Sequence, residues 1–292
     1  VSDNVGGISN KGIELTLETK NVVSKNFTWT TNFTMTYQKN NVDTIFGGNP
    51  FASGFASWIQ QGYPLSSFRG YRVEGIFQTA ADIKVARDGT AARPGDIKWR
   101  DLNNDGVINS LDQEILGNAL PKYFGSFTNN FTYKNFDLTV FVQFVGGNKI
   151  YNNTRAFAEG MNSLFGQYAT VRNRWTPTNP SKFNSPSTVM PRAVYGDPAN
   201  NRRNSDRWLE DGSFVRVKNI VLGYNIDPDV VSRLGLGSVR MFVQAQNLFT
   251  WTKYTGFDPE VSTFTTTNTA QGTDFLTFPQ PRTITAGINI GF

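Results

Sequence analysis

Arg282-Thr283-Ile284-Thr285-Ala286-Gly287-Ile288-Asn289-Ile290-Gly291-Phe292 alternates residue by residue. Ile284, Ala286, Ile288, Ile290 and Phe292 share one face of an extended chain. Thr283, Thr285, Gly287, Asn289 and Gly291 share the other. Successive strand side chains point to opposite faces, so this stretch is a strand with one apolar and one small, hydroxyl-rich face.

Working outward, the same period of two recurs along the chain. Ile13, Leu15 and Leu17 alternate with Glu14, Thr16 and Glu18. Phe27, Trp29, Phe33, Met35 and Tyr37 alternate with Thr28, Thr30, Asn32, Thr34 and Thr36. Tyr123, Phe127, Phe131 and Tyr133 alternate with Lys122, Ser126, Thr128, Asn130 and Thr132. Leu138, Val140, Val142 and Phe144 alternate with Asp137, Thr139 and Gln143, and Val239, Met241, Val243 and Ala245 with Arg240, Gln244 and Gln246. In Phe214 to Ile226 the parity switches between Val217 and Ile220, which a β-bulge near Asn219 would repair.

A soluble β-sandwich also alternates. Its strands, however, run to about 5–6 residues, whereas these segments approach the roughly 9–11 residues that cross a bilayer when tilted. The connections point the same way. Those at 21–26, 134–135 and 227–237 are short, and those at 40–120, 153–213 and 257–281 are long. Short turns at one end and long loops at the other are the pattern of a membrane β-barrel. With the last strand running inward, the short turns become periplasmic and the long loops extracellular. This holds only if the strand-like stretch Ser66 to Gln78 belongs to an extracellular loop, which leaves seven spanning strands. Seven is odd and below the smallest bacterial barrel of about eight strands. An open sheet would leave unpaired backbone groups in lipid. The chain is therefore expected to be a segment of a larger barrel.

Composition agrees. The 292 residues are 38% hydrophobic yet 14% aromatic, with 24 phenylalanines, which suits a wall whose alternate residues meet lipid. Absent cysteine excludes a disulfide scaffold, and absent histidine removes the commonest general base and zinc ligand. The net charge of +5 is scattered through loop stretches and does not suggest nucleic acid. No apolar run approaches the roughly 20 residues of a membrane-spanning helix. Val1 to Asn10 reads as the middle of a longer chain, with any secretion signal expected upstream. Phe292, closing the alternating run, resembles the C-terminal assembly signal of outer-membrane proteins.

One loop carries metal-binding chemistry. In Asp101-Leu102-Asn103-Asn104-Asp105-Gly106-Val107-Ile108-Asn109-Ser110-Leu111-Asp112, oxygen side chains stand at positions 1, 3, 5, 9 and 12, with glycine at 6. That is the EF-hand spacing with aspartate closing the loop. Asp101, Asn103, Asp105, the Val107 carbonyl, Asn109 and Asp112 are the predicted ligands of a structural Ca²⁺. The alternative is an Asx-rich turn closed by its own hydrogen bonds. In a second loop, Arg172, Arg174, Trp175, Tyr195, Arg207 and Trp208 are predicted to contact a partner or ligand, since Arg and aromatic residues anchor interfaces. The alternative is self-packing of the loop. Asp206, Glu210 and Asp211 are expected to pair with arginines rather than to catalyse, so no enzymatic activity is predicted.

Several stretches together resemble the SusC/RagA family of TonB-dependent outer-membrane importers. They are Asn4-Val5-Gly6-Gly7-Ile8-Ser9-Asn10-Lys11-Gly12-Ile13-Glu14-Leu15, Gly62-Tyr63-Pro64-Leu65, Gly70-Tyr71 and Glu74-Gly75-Ile76-Phe77-Gln78. Pro94-Gly95-Asp96-Ile97-Lys98, Ile115-Leu116-Gly117-Asn118, Gly146-Gly147-Asn148-Lys149-Ile150-Tyr151, Arg174-Trp175-Thr176-Pro177, Ser205 to Arg216 and Gln246-Asn247-Leu248 follow in the family's order. The resemblance implies an all-β transmembrane antiparallel barrel of roughly 22 strands with a plugged lumen, of which residues 1–292 form the C-terminal portion. The plug and TonB box are expected outside this sequence. It further implies the outer membrane of a Gram-negative bacterium, coupling to TonB, a SusD-like surface lipoprotein as lid, and import of an oligosaccharide or peptide. Two other readings are a non-transporting barrel acting as scaffold in a larger outer-membrane assembly, and a soluble calcium-stabilised binding module.

Overall fold

The computed structural model describes residues 6–83, 92–180 and 184–292, with backbone alone at 86–87. Asn4 and Val5, at the head of the first family-like motif, lie outside the described residues.

Seven strands form one antiparallel sheet in simple chain order. They are β1 (Gly6–Val23), β2 (Phe27–Ile45), β3 (Tyr123–Tyr133), β4 (Phe136–Gly146), β5 (Phe214–Asn225), β6 (Ser238–Thr252) and β7 (Thr283–Gly291). The expected seven spanning strands are all present, and Ser66 to Gln78 lies outside this sheet as short loop strands. The short connections gather at one end. Lys134 takes a left-handed backbone (φ 51°) in the two-residue β3–β4 turn. The β5–β6 connection contains one short helix (Pro228–Arg233), capped by the Asp227 carboxylate, which accepts from the Asp229 N–H at 2.9 Å.

Register aligns the alternating residues into two continuous faces. Ile13 opposes Tyr37, Leu15 opposes Met35, and Leu17 opposes Phe33. Phe33 opposes Phe127, which opposes Val142. Val142 opposes Val217, Val217 opposes Phe249, and Val243 opposes Ala286. The bulge sits at Lys218: Val142 pairs with Val217 and Phe141 with Asn219, so Lys218 is skipped and the apolar face runs on unbroken. The polar groups set in this face pair with one another: Asn129 opposes Thr31 and accepts from Trp29 Nε1 at 2.9 Å and from Thr31 Oγ1 at 2.8 Å. The opposite face is laced by hydrogen bonds, including Thr34–Ser126 (2.8 Å), Thr139–Asn130 (2.9 Å) and Gln244–Asn219 (2.8 Å).

The apolar face has the height of a bilayer core. Tyr37 and Tyr123 oppose one another at its upper rim, and Tyr133, Phe136 and Tyr224 at its lower rim. Tyr123 to Tyr133 spans about 34 Å along the strand, which becomes roughly 25 Å at the usual 40° tilt. That matches an apolar band flanked by aromatic girdles. Ile13 (73% exposed), Ile284 (70%) and Ile288 (62%) lie open on this face, an arrangement that water penalises and lipid does not. β1 and β7 are the two edges of the sheet. β1 and β2 continue past the others as a hairpin, pairing to Gly6–Ile45 where β3 has ended at Tyr123–Tyr37.

Candidate functional site

The long connections 46–122, 147–213 and 253–282 leave the same end of the sheet and fold onto one another. Lys149–Asn152 pairs antiparallel with Leu209–Asp211 and parallel with Thr273–Asp274, joining two loops. The first loop joins them through Tyr71, whose N–H donates to Asn204 O (2.9 Å) and whose carbonyl accepts from Asp206 N (3.1 Å). Two apolar clusters form beneath. One holds Tyr71, Val73, Ile76, Ile97, Trp99, Ile108 and Val189, with Trp175 against it. The other holds Ala56, Phe68, Ala119, Tyr151, Ala156 and Trp208.

The residues expected to meet a partner divide. Arg172, Arg174 and Tyr195 are exposed. Trp175 is half-buried, donating from Nε1 to Gln78 Oε1 at 2.9 Å. Arg207 and Trp208 are both 0% exposed, so the expected surface contact is corrected for these two: they are interior packing. The Arg207 guanidinium lies 4.1 Å over the Trp208 ring, donates to Glu159 O (3.3 Å), and is pushed down to about 9 by burial. Sequence reasoning reads arginine as exposed because its charge is costly to bury; cation–π stacking and the Glu159 carbonyl offset only part of that cost here, since Nε and Nη1 are buried without a hydrogen-bond partner among the described residues.

Two ionic clusters hold the loops over the sheet; the sequence reading expected an arginine beside Glu210 but identified neither Arg155 nor Arg216. Arg155, on a short helix of the loop region (Asn153–Ala158), is buried and reaches Glu210 at 2.6 Å and Glu159 at 3.2 Å. Glu210 also accepts from Asn152 Nδ2 and Thr255, so one carboxylate binds two loops. Arg216, on the polar face of β5 next to the bulge, contacts Asp258 (2.5 Å), Glu260 (2.8 Å) and Thr250 Oγ1 (2.9 Å). Lys218 adds a 2.7 Å contact to Glu260, and Asp258 accepts from Gln280 N at 3.0 Å. Both limbs of loop 253–282 are thus pinned to the inner wall. Of the carboxylates expected to pair with arginines, Glu210 does so with Arg155, and Asp206 lies 4.0 Å from Arg72 while accepting from Val73 N at 3.0 Å; Asp211 instead accepts from Ser213. Burial pushes Asp206 up to about 6.

Two recesses open beside these clusters. One, of about 580 Å³, lies between Gln143, Val145 and Phe214 of the inner wall and residues of loop 253–282 that include Glu260, Phe264 and Gln271. The other, of about 540 Å³, is lined by Arg155, Glu159, Tyr168, Glu210, Asp211 and Lys253 among others. Amides, hydroxyls, carboxylates and aromatic rings converge there, which suits orienting a polar solute. Among the described residues no group of three or more His, Cys, Asp or Glu gathers as metal ligands.

In the loop 101–112, Gly106 adopts φ 81°, and its N–H donates to Asp101 Oδ2 at 2.9 Å. Asp105 accepts from Val107 N (2.8 Å), and Asn109 accepts from Leu111 N (2.8 Å). Asp112 is buried and accepts from Leu102 N (2.8 Å) and Asn109 N (2.7 Å). Asn103 accepts from Asp105 N at 3.1 Å. The loop therefore closes through side-chain to backbone bonds, with Asp101 Oδ1 buried and without a hydrogen-bond partner.

A seven-stranded meander with one predominantly apolar face, an aromatic girdle at each rim and every long loop at one end is a portion of the wall of an outer-membrane-type β-barrel. The comparisons with known proteins narrow this. No protein-family model matches the chain. TonB-dependent receptor P3 of Formosa agariphila is 32% identical over 99% of this chain and 29% of its own length. TonB-dependent receptor SusC of Bacteroides thetaiotaomicron is 24% identical over 100% of the chain and 27% of its own length. The structure of the RagAB peptide importer in its open-open state superposes on 99% of the chain with a TM-score of 0.77 at 22% identity, covering 29% of that chain. The chain belongs to the SusC/RagA-like family of TonB-dependent receptors. It spans less than a third of the length of these relatives. They are receptors rather than enzymes, in line with the lack of a catalytic constellation in the sequence.

Proposed function

We propose that this chain forms part of the wall and extracellular mouth of an outer-membrane importer that takes up a nutrient, an oligosaccharide or a peptide, as the SusC-like barrel of a SusCD-type complex. The observation that carries the reading is the apolar face of bilayer height with all long loops at one end. Strands from the remainder of the protein close the wall, since β1 and β7 would otherwise leave unpaired backbone groups in lipid. A SusD-like surface lipoprotein covers the loop end, and TonB couples through a region outside this chain. Exposed Arg172, Arg174 and Tyr195, and half-buried Trp175, face the lid or the solute.

The loop 101–112 binds Ca²⁺ in this reading. Gly106 already has the turn that the EF-hand spacing requires, and Asp101 Oδ1 has an open coordination position. The ion's part is to stiffen a long loop.

The experiment is mass spectrometry on the native complex extracted in detergent, mapping this protein's own peptides and every co-purifying chain. Upstream plug peptides with a TonB box, together with a SusD-like lipoprotein, are the expected result. Assembly or secretion factors in place of these would sink the importer reading and favour a scaffold.

A further inference from the structure

Above the upper girdle, the β1–β2 hairpin presents an unusual pair. Lys11 and Lys39 are directly opposed in register, one step beyond the opposed Ile13 and Tyr37. Alternation places both lysines on the same face as Ile13 (73% exposed) and Tyr37 (49% exposed), and both lysines are exposed. Like charges directly opposite one another destabilise a strand pair, with Cβ atoms about 5 Å apart. Lysine ion pairs among the described residues are Lys98–Glu74 and Lys218–Glu260, and neither Lys11 nor Lys39 is in one. Asp43, hydrogen-bonded to Ser9 and Asn41, lies close enough to interact with Lys11 and supplies one negative charge against two positive. A groove of about 270 Å³ runs beside Lys39, lined by Tyr37, Pro64, Leu120, Pro121 and a third lysine, Lys122.

Height decides what meets this pair. Two residues beyond the girdle is about 7 Å along the strand and roughly 5 Å along the membrane normal. That is the level of lipid headgroups, directly over the apolar band. Ammonium groups there, with apolar side chains beneath, complement an anion that carries acyl chains.

We propose that Lys11 and Lys39 form a docking site for the phosphate of an outer-leaflet lipid, whose acyl part lies along Ile13, Leu15 and Tyr37. This rests on the lipid-facing reading of the sheet. The phosphate relieves the repulsion between the lysines, and the lipid staples the projecting hairpin at the membrane surface. Because the pair is exposed, binding weakens as salt rises.

The test uses the full-length protein in detergent and native mass spectrometry with three probes: dioleoyl phosphatidic acid, dioleoylglycerol and inorganic phosphate. The wild type is expected to retain phosphatidic acid in preference to dioleoylglycerol. Replacing both residues, Lys11→Gln and Lys39→Gln, should lower that preference at least five-fold while dioleoylglycerol adducts persist. The charge-retaining pair Lys11→Arg and Lys39→Arg should restore it. An unchanged preference in the glutamine variant overturns the site. Equal competition by inorganic phosphate overturns the lipid assignment. Failure of the wild type to retain either lipid counts against the lipid-facing wall itself.

Discussion

Arg216→Ala removes the clamp between the inner wall and loop 253–282. The Arg216 side chain is 2% exposed and its partner Asp258 is 5% exposed. Truncation leaves the Asp258 carboxylate buried, with only the backbone N–H groups of Glu260 and Gln280 as donors. Breaking a buried pair from one side costs about 3–5 kcal/mol, because a charge is stranded. Glu260 adds little to that figure, since it is 32% exposed and keeps Lys218 at 2.7 Å. At about 1.4 kcal/mol per tenfold, the amides of residues 258–280 should lose roughly 100-fold to 4,000-fold in hydrogen-exchange protection. The strand amides of β4 and β5 should keep theirs. Arg216→Lys should recover only part of the loss, because a point charge cannot hold Asp258, Glu260 and Thr250 together. Loop protection within three-fold of wild type in Arg216→Ala would refute the clamp.

Other perturbations follow from the same geometry. Trp208→Ala empties a fully buried site and should cost about 3–5 kcal/mol, exposing loop 147–213 to protease while the strand content measured by circular dichroism stays unchanged. Asp206 is raised to about 6 by burial, so the folded loop binds its proton more tightly than the unfolded chain does. Loop stability should therefore fall as pH rises from about 4 to 6, and Asp206→Asn should abolish that slope in pH-resolved proteolysis. If the loop holds Ca²⁺, Asp101→Ala with Asp105→Ala should remove the protection from proteolysis that calcium gives and chelator takes away; identical cleavage with and without chelator in the wild type would end the calcium proposal.

The wall was legible because a strand writes its faces into adjacent residues. Ile284 to Phe292 shows both faces in nine positions, and the parity switch after Val217 marked a bulge that lies at Lys218, one residue from the expected Asn219. The loop assembly was not legible for the opposite reason. Arg155 meets Glu210 across 55 residues and Arg192 meets Asp96 across 96, with no local period to report either pairing. Trp208 and Arg207 stood in an Arg- and aromatic-rich stretch that fits a surface anchor as well as a buried cation–π stack, and composition alone does not separate the two. The dense Asx chemistry of 101–112 likewise fits both a metal cage and a self-closing turn, and the hydrogen bonds seen there satisfy the second while leaving Asp101 Oδ1 for the first.

Site-directed spin labelling tests most directly whether this sheet is a membrane wall with its apolar face outward. Single cysteines would be placed at Leu17, Phe33 and Phe127 and at their neighbours Thr16, Thr34 and Thr128 in the full-length protein, reconstituted in bilayers with other cysteines replaced. Leu17, Phe33 and Phe127 are opposed in register near the middle of the band. Labels at these three should be relaxed strongly by dissolved oxygen and weakly by a water-soluble nickel chelate, and labels at the threonines should show the reverse. Equal exposure of both sets to the nickel reagent would contradict a lipid-facing wall and return the sheet to water.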